Sequence, residues 1–178
     1  MTPLLLIAAA AATALFATAT SARAGDALKP GDAAPKLAFQ DQDGKSYNLE
    51  DFAGKQAVIV YFYPKDSTPG CTKEACGFRD RIEELKKSRV QVFGVSFDSA
   101  ASHKKFIEKN QLNFPLLVDE NGKIADAFGA RRAPGQDSAR RVSFLIGFDG
   151  KIAHVTDSSS ADTHLEEMQA AVEKLAAK

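Results

Sequence analysis

The sequence predicts an α/β protein, with a central β-sheet flanked by helices. Three observations predict it. Residues 58–63 and 90–97 are rich in β-branched and aromatic side chains, as strands buried on both faces are. The segments between such runs carry apolar residues three and four apart, the period of a helix with one buried face. Asp43-Gly44, Asn121-Gly122 and Asp149-Gly150, each followed by lysine, punctuate the chain and supply the positive-φ positions of tight turns. Strands alternating with helices imply layers around one sheet.

The elements follow in order. Residues 25–35, rich in Gly, Pro and Asp, read as a lead-in. The Asp43-Gly44-Lys45 turn comes next, as a hairpin or element boundary. None of the three turns carries the spaced acidic series and terminal Glu of a calcium loop. Residues 58–63 form the first long strand. Residues 74–87 form a helix whose buried face holds Phe78, Ile82 and Leu85. A strand over 90–97, a shorter polar-faced helix over 100–110 and a short strand over 116–118 follow. A strand over 142–148 precedes a last helix over 162–177, with Leu165, Met168, Val172 and Leu175 toward the core. There is no internal repeat beyond the turns, and no sign of a second domain.

The first 24 residues read as a separate object. Residues 4–12 are unbroken apolar sequence, the first charged side chain is Arg23, and Ala22-Arg23-Ala24 has the small-x-small form of a signal-peptidase site. The run is alanine-rich and a poor membrane span. Met1-Thr2-Pro3 lacks the usual basic residues. The expectation is an export signal over 1–24, a mature chain from Gly25, a periplasmic location and no stable membrane association after cleavage.

The 178 residues suit one domain with such an appendage. The 23 Lys and Arg balance 23 Asp and Glu, which argues against nucleic acid as a partner, since phosphate binding needs a basic face. Two cysteines are too few for a disulfide-built scaffold, so they matter for their chemistry if they matter at all.

Those cysteines lie in Pro64-Lys65-Asp66-Ser67-Thr68-Pro69-Gly70-Cys71-Thr72-Lys73-Glu74-Ala75-Cys76-Gly77. The segment leaves a buried strand and opens a helix, and the carboxyl end of a strand is where sites form in open α/β sheets. Pro64, Pro69 and Gly70 make a stiff, non-helical loop, which puts Cys71 at the cap or in the first turn. A helix start offers unpaired N–H groups and partial positive charge, both favouring thiolate. Holding a thiol mostly ionised at neutral pH takes roughly 2.7 kcal/mol of differential stabilisation. A helix terminus supplies about 0.3–1 kcal/mol when exposed and about 2 when partly buried. A second contributor, an arginine, is therefore expected, and Arg131, Arg132, Arg140 and Arg141 are equal candidates on this ground.

Cys76 follows five residues on. On an intact helix that is about 500° of rotation and about 7.5 Å of rise, with Cα atoms roughly 8–9 Å apart. A disulfide needs about 4.4–6.8 Å. The pair therefore bonds only if that turn opens, and Gly77 weakens the helix there. Two inert buried cysteines, or a static disulfide, are the alternatives that spacing leaves open. The spacing is not that of a thioredoxin-type motif. His103, His154 and His164 are too scattered for a zinc site.

The segment resembles the active-site signature of peroxiredoxins, P-x-x-x-T-x-x-C, in Pro64, Thr68 and Cys71. Cys76 and Gly77-Phe78-Arg79-Asp80 make it similar to the peroxiredoxin Q, or bacterioferritin comigratory protein, branch in particular. Residues 29–35, 113–119 and 141–146 match comparable family segments, so the resemblance covers essentially all of 29–178. It implies a thioredoxin fold with a central mixed β-sheet, and a thiol peroxidase over residues 25–178. By that resemblance Cys71 is the peroxidatic cysteine and Cys76 the resolving one, joined in an intramolecular disulfide. Thr68 holds peroxide and thiolate, Pro64 shields the pocket, and Arg141 is the active-site arginine. Glu74 is either the partner that orients this arginine or an ordinary surface glutamate near a helix start.

The resemblance further implies hydrogen peroxide and organic hydroperoxides as substrates, thioredoxin or a thioredoxin-like dithiol protein as reductant, and no metal or other cofactor. Residues 131–139 are short and polar, so a monomer is expected. A thiol–disulfide oxidoreductase without peroxidase activity, and a non-enzymatic thioredoxin-fold binding module, are the rival readings.

Overall fold

The computed structural model describes residues 27–133 and 136–177. Within them the elements are β1 (Ala38–Gln40), β2 (Ser46–Asn48), a 3-10 turn (Leu49–Phe52), β3 (Ala57–Phe62), α1 (Pro69–Lys87), β4 (Val90–Ser96), α2 (Ala100–Asn110), β5 (Leu116–Val118), α3 (Lys123–Phe128), β6 (Val142–Ile146), β7 (Ile152–Asp157) and α4 (Ala161–Ala176). The expected leader lies outside the described residues.

The sheet order is β5-β4-β3-β6-β7. β3 runs parallel to β4 and β4 to β5, while β6 is antiparallel to both β3 and β7. The sheet is thus mixed, with helices on its faces, as expected. The buried β3 alternates between two cores with the period of two that a strand imposes. Ala57, Ile59 and Tyr61, with Tyr63 just beyond the strand, pack under α1, α2 and α4 against Phe78, Ile82, Phe106 and Met168. Val58, Val60 and Phe62 face Phe39 of β1, Phe128 of α3 and Phe144 of β6. Gly94 has a packing reason: a Cβ there would meet Tyr61 Oη and Leu116 Cδ2, both at 2.7 Å.

α2 and β5 have the predicted bounds, and the other predicted strands and helices appear with shifted ends. The three turns are where the sequence puts them. Gly44 joins the β1–β2 hairpin, Gly122 caps α3 and Gly150 joins β6 to β7, all at positive φ. β1, β2, β7 and α3 are additions, each too short or too weakly apolar to stand out by periodicity. One boundary is corrected. α1 begins at Pro69, five residues before the predicted start, because a proline at the first helical position gives up only an N–H that the helix would leave unpaired. Pro69 and Gly70 are therefore helix, not loop.

This start matters for the site. β3 ends at Phe62 in the centre of the sheet, and the connection to α1 crosses its carboxyl end. Cys71 becomes the third residue of a 19-residue helix.

Candidate active site around Cys71

Thr68 is the N-cap of α1, extended at φ −84° and ψ 150°, and its carbonyl takes the Thr72 N–H at 2.8 Å. Pro69 has no N–H. The amides of Gly70 and Cys71 are thus the unpaired donors of the first turn, and no acidic side chain offsets their partial charge there. Cys71 itself is buried, at 1% exposure.

Arg141 stands just before β6, next to β3 in the sheet, and reaches back over this turn. Its Nη2 lies 3.3 Å from Cys71 Sγ. Gly70 makes room, since a Cβ there would sit 3.1 Å from the same nitrogen. A guanidinium N–H aimed at sulfur stabilises negative charge on it. Two of the other three candidate arginines are engaged elsewhere. Arg131 binds Asp126 and stacks on Phe97, Arg140 binds Asp157 and the Gly129 carbonyl, and Arg132 is exposed, its backbone N–H bonded to Ser138.

Glu74 is wholly buried, and its Oε2 accepts from Arg141 Nη1. Of the two readings of this residue, the surface glutamate is excluded. Its Oε1 accepts no hydrogen bond among the described residues, and His164 Nδ1 faces it at 3.5 Å. Burial pushes the Glu74 carboxyl up to about 7, against the pull of Arg141. His164 Nε2 donates to the Ser158 carbonyl at 2.9 Å, so Nδ1 is left to accept from Ser143 Oγ at 2.7 Å. Burial pushes this imidazole below its ordinary value. Sequence reasoning weighed His164 only as a metal ligand and missed Ser143. One signal was available: Ser143 follows Arg141 by two residues and so shares its strand face.

Thr68 and Pro64 flank the same turn, both half-buried. The Thr68 hydroxyl hydrogen goes to the Lys65 carbonyl at 3.1 Å, which leaves its oxygen lone pairs toward incoming donors. Cys76 is half-buried on the unbroken α1, and both cysteines are free thiols. Among the described residues no group of three or more His, Cys, Asp or Glu side chains is placed to hold a metal ion. A cavity of about 620 Å³ lined by Arg89, Phe148, Lys151 and Leu175 lies at the opposite end of the sheet and takes no part in this arrangement.

Residues 30–155 match the AhpC/TSA family. The chain is 49% identical to the peroxiredoxin Bcp of Escherichia coli K12 over 142 residues, 77% of this chain and 90% of that one. It is 43% identical to the chloroplastic peroxiredoxin Q of Oryza sativa subsp. japonica, over 72% of this chain and 58% of that one. Among solved structures, the peroxidoxin BcpB of Mycobacterium tuberculosis superposes with a TM-score of 0.77 at 34% identity, covering 83% of this chain and 98% of that one. The bacterioferritin comigratory protein of Xanthomonas campestris, studied for alkyl peroxide reduction, superposes with a TM-score of 0.73 at 30% identity, covering 85% and 99%.

Proposed function

This chain belongs to the AhpC/TSA family of peroxiredoxins, in the Bcp and peroxiredoxin Q branch, and on that premise we propose how its site works. The protein is a thiol-dependent peroxidase, an oxidoreductase with the thioredoxin fold. The observation that carries the mechanism is the Arg141 guanidinium, 3.3 Å from the sulfur of a buried cysteine at a helix start.

In the first step the Cys71 thiolate attacks the distal oxygen of ROOH. An S–O bond forms and the O–O bond breaks. The sulfur is oxidised to sulfenic acid, and RO⁻ leaves and takes up a proton as water or an alcohol. Arg141 and the amides of Gly70 and Cys71 oppose the charge spreading along the O–O bond. The Thr68 oxygen accepts a hydrogen bond from the peroxide O–H, which stays on the oxygen passed to sulfur, and Pro64 keeps bulk water off the turn. Glu74 sets the direction of the Arg141 fork.

In the second step the first turns of α1 unwind, because five residues of intact helix hold the two sulfurs apart. Cys76 sulfur attacks the sulfenic sulfur, an S–S bond forms and water leaves. A thioredoxin-like dithiol protein then reduces the Cys71–Cys76 disulfide by exchange through a mixed disulfide. The substrate class is hydrogen peroxide and organic hydroperoxides. Stopped-flow mixing of the reduced protein with either tests the reading. Oxidation far faster than that of a free thiol is expected, and a rate no faster than a free thiol overturns it.

The enzyme acts as a monomer in the periplasm, exported by the leader over residues 1–24. Its support is the apolar run over residues 4–12 and the Ala22-Arg23-Ala24 site. The intact mass of protein from the envelope fraction should correspond to a start at Gly25.

A further inference from the structure

The loop between β3 and α1 carries a second group of buried charges, apart from Cys71, Arg141 and Glu74. Asp66, in the middle of the loop, is 7% exposed, and a carboxylate so placed needs partners. It has three. Tyr63 Oη donates to Oδ1 at 2.8 Å, Ser102 Oγ donates to Oδ2 at 2.7 Å, and His103 Nδ1 lies 2.9 Å from Oδ2. Burial alone would raise this carboxyl, and the bonds from His103, Ser102 and Tyr63 outweigh it and hold it below the ordinary range. The Tyr63 and Ser102 hydroxyls directed at its two oxygens place Asp66 as an acceptor.

His103 is wholly buried on α2, and its other nitrogen, Nε2, lies 3.2 Å from the Leu117 carbonyl oxygen of β5. Neither a carboxylate nor a carbonyl can donate. A neutral imidazole has one N–H and would set a lone pair against one of the two oxygens. We infer that His103 is an imidazolium, and that the buried Asp66–His103 pair pins the peroxide-binding loop to α2 and β5, favouring the folded, peroxide-reacting form of α1 over the unwound form that disulfide formation needs.

The connection to the reaction is short. Asp66 is followed by Ser67 at φ +60°, a left-handed conformation that a non-glycine residue keeps only when its neighbours are fixed. Thr68, the N-cap of α1, fixes one side. The His103 pair fixes the other, helped by the Asp66 N–H on Asp98 Oδ2 at 2.9 Å. The titratable groups facing the pair are Tyr63, just beyond β3, and Asp98 from the β4–α2 connection, the latter through Ser102, and Tyr61 of β3 is near enough to feel the Asp66 charge. Asp66 and His103 are thus positioning residues that act through Ser67 and Thr68. The inference rests on the proposal above that Cys76 reaches Cys71 by unwinding.

Two measurements test it. Nitrogen-15 spectra of the imidazole in the reduced protein at neutral pH should show both His103 nitrogens protonated; a neutral tautomer overturns the inference. In Asp66→Asn the amide N–H can donate to Nδ1 instead, so His103 should become neutral. An unchanged ring in that variant also overturns it. In stopped flow, His103→Gln should slow Cys71 oxidation about tenfold and speed the disulfide step by a similar factor, a fraction of what breaking a buried pair can cost. Asp66→Asn, which keeps an uncharged bond, should do less of both. Opposite signs in the two steps are what a merely structural role does not produce. A lower thermal midpoint with both rates unchanged overturns the inference. Rapid oxidation of the wild type is the control: if that fails, the peroxidase reading falls, while the charge of His103 is decided by the spectra alone.

Discussion

Glu74 holds a wholly buried carboxyl, with one oxygen on Arg141 and the other facing the Nδ1 edge of His164. Its carboxyl rises from an ordinary 4.5 to about 7 because burial outweighs the attraction of Arg141. A raised value means the folded protein holds this proton over a pH range where the unfolded chain has lost it. The stability that Glu74 contributes is complete below about 4.5 and is lost as pH climbs through about 7. Urea midpoints of the reduced protein should fall over this interval, and Glu74→Gln should remove that part of the slope. The cysteines give the sharpest residue-level outcomes. Cys71→Ser should abolish turnover. Cys76→Ser should keep the first oxidation at its wild-type rate and accumulate sulfenic acid, detectable by mass or by a sulfenic-acid probe. Equal loss of the first step in both variants would contradict the roles given to them. Arg141→Lys keeps the charge but loses the planar fork, and should slow the first step by on the order of 10²-fold.

At the scale of elements, the contact between α1 and α4 bears on the unwinding proposed for α1. Gly77 follows Cys76, and by propensity alone it weakens the helix by about 1 kcal/mol relative to alanine. The structure gives it a second role. A Cβ at Gly77 would lie 2.2 Å from Leu165 Cδ1 and 2.8 Å from Cδ2, so α4 crosses α1 at this glycine. Gly77→Ala, normally a stabilising change inside a helix, should therefore lower the urea midpoint. Leu165→Ala also destabilises alone, by on the order of 2–5 kcal/mol as a buried leucine truncation. In the double variant the added methyl fills space the leucine has left, so the two losses should sum to less than their separate values. Strict additivity would show that Gly77 is there for flexibility and not for the close approach. On α4 itself, Ser160 Oγ accepts the Thr163 N–H, and Ser160→Ala should cost about 1 kcal/mol as other N-cap losses do.

For the whole molecule, what the sequence shows and hides follows from the range of the forces involved. The buried strands β3 and β4 and the helix α2 are legible because each carries its own local pattern, continuous β-branched and aromatic runs in the strands and a helical spacing in α2. Cys71 at a helix start is legible because proline, glycine and a buried strand are its neighbours in the chain. The choice of Arg141 from four arginines is not, since it is made by β6 lying beside β3, 70 residues from Cys71 in sequence. His103 is hidden for the same reason, its partner Asp66 lying 37 residues away. The lead-in shows both conditions at once. Its composition reads as loop, yet Leu28 is 6% exposed in the core, the Leu28 N–H reaches the Phe128 carbonyl, and the Gly31 N–H donates to the Ile152 carbonyl at 2.8 Å. The molecule should therefore have a sharp tolerance limit at its amino end. Protein starting at Gly25 should match the full chain in urea midpoint and peroxidase rate. Protein starting at Asp32 loses the buried Leu28 and the bond to β7, and should lose about 2 kcal/mol or more. If shortening to Gly25 already costs as much, the first 24 residues belong to the folded enzyme, and the reading of them as a removable address fails.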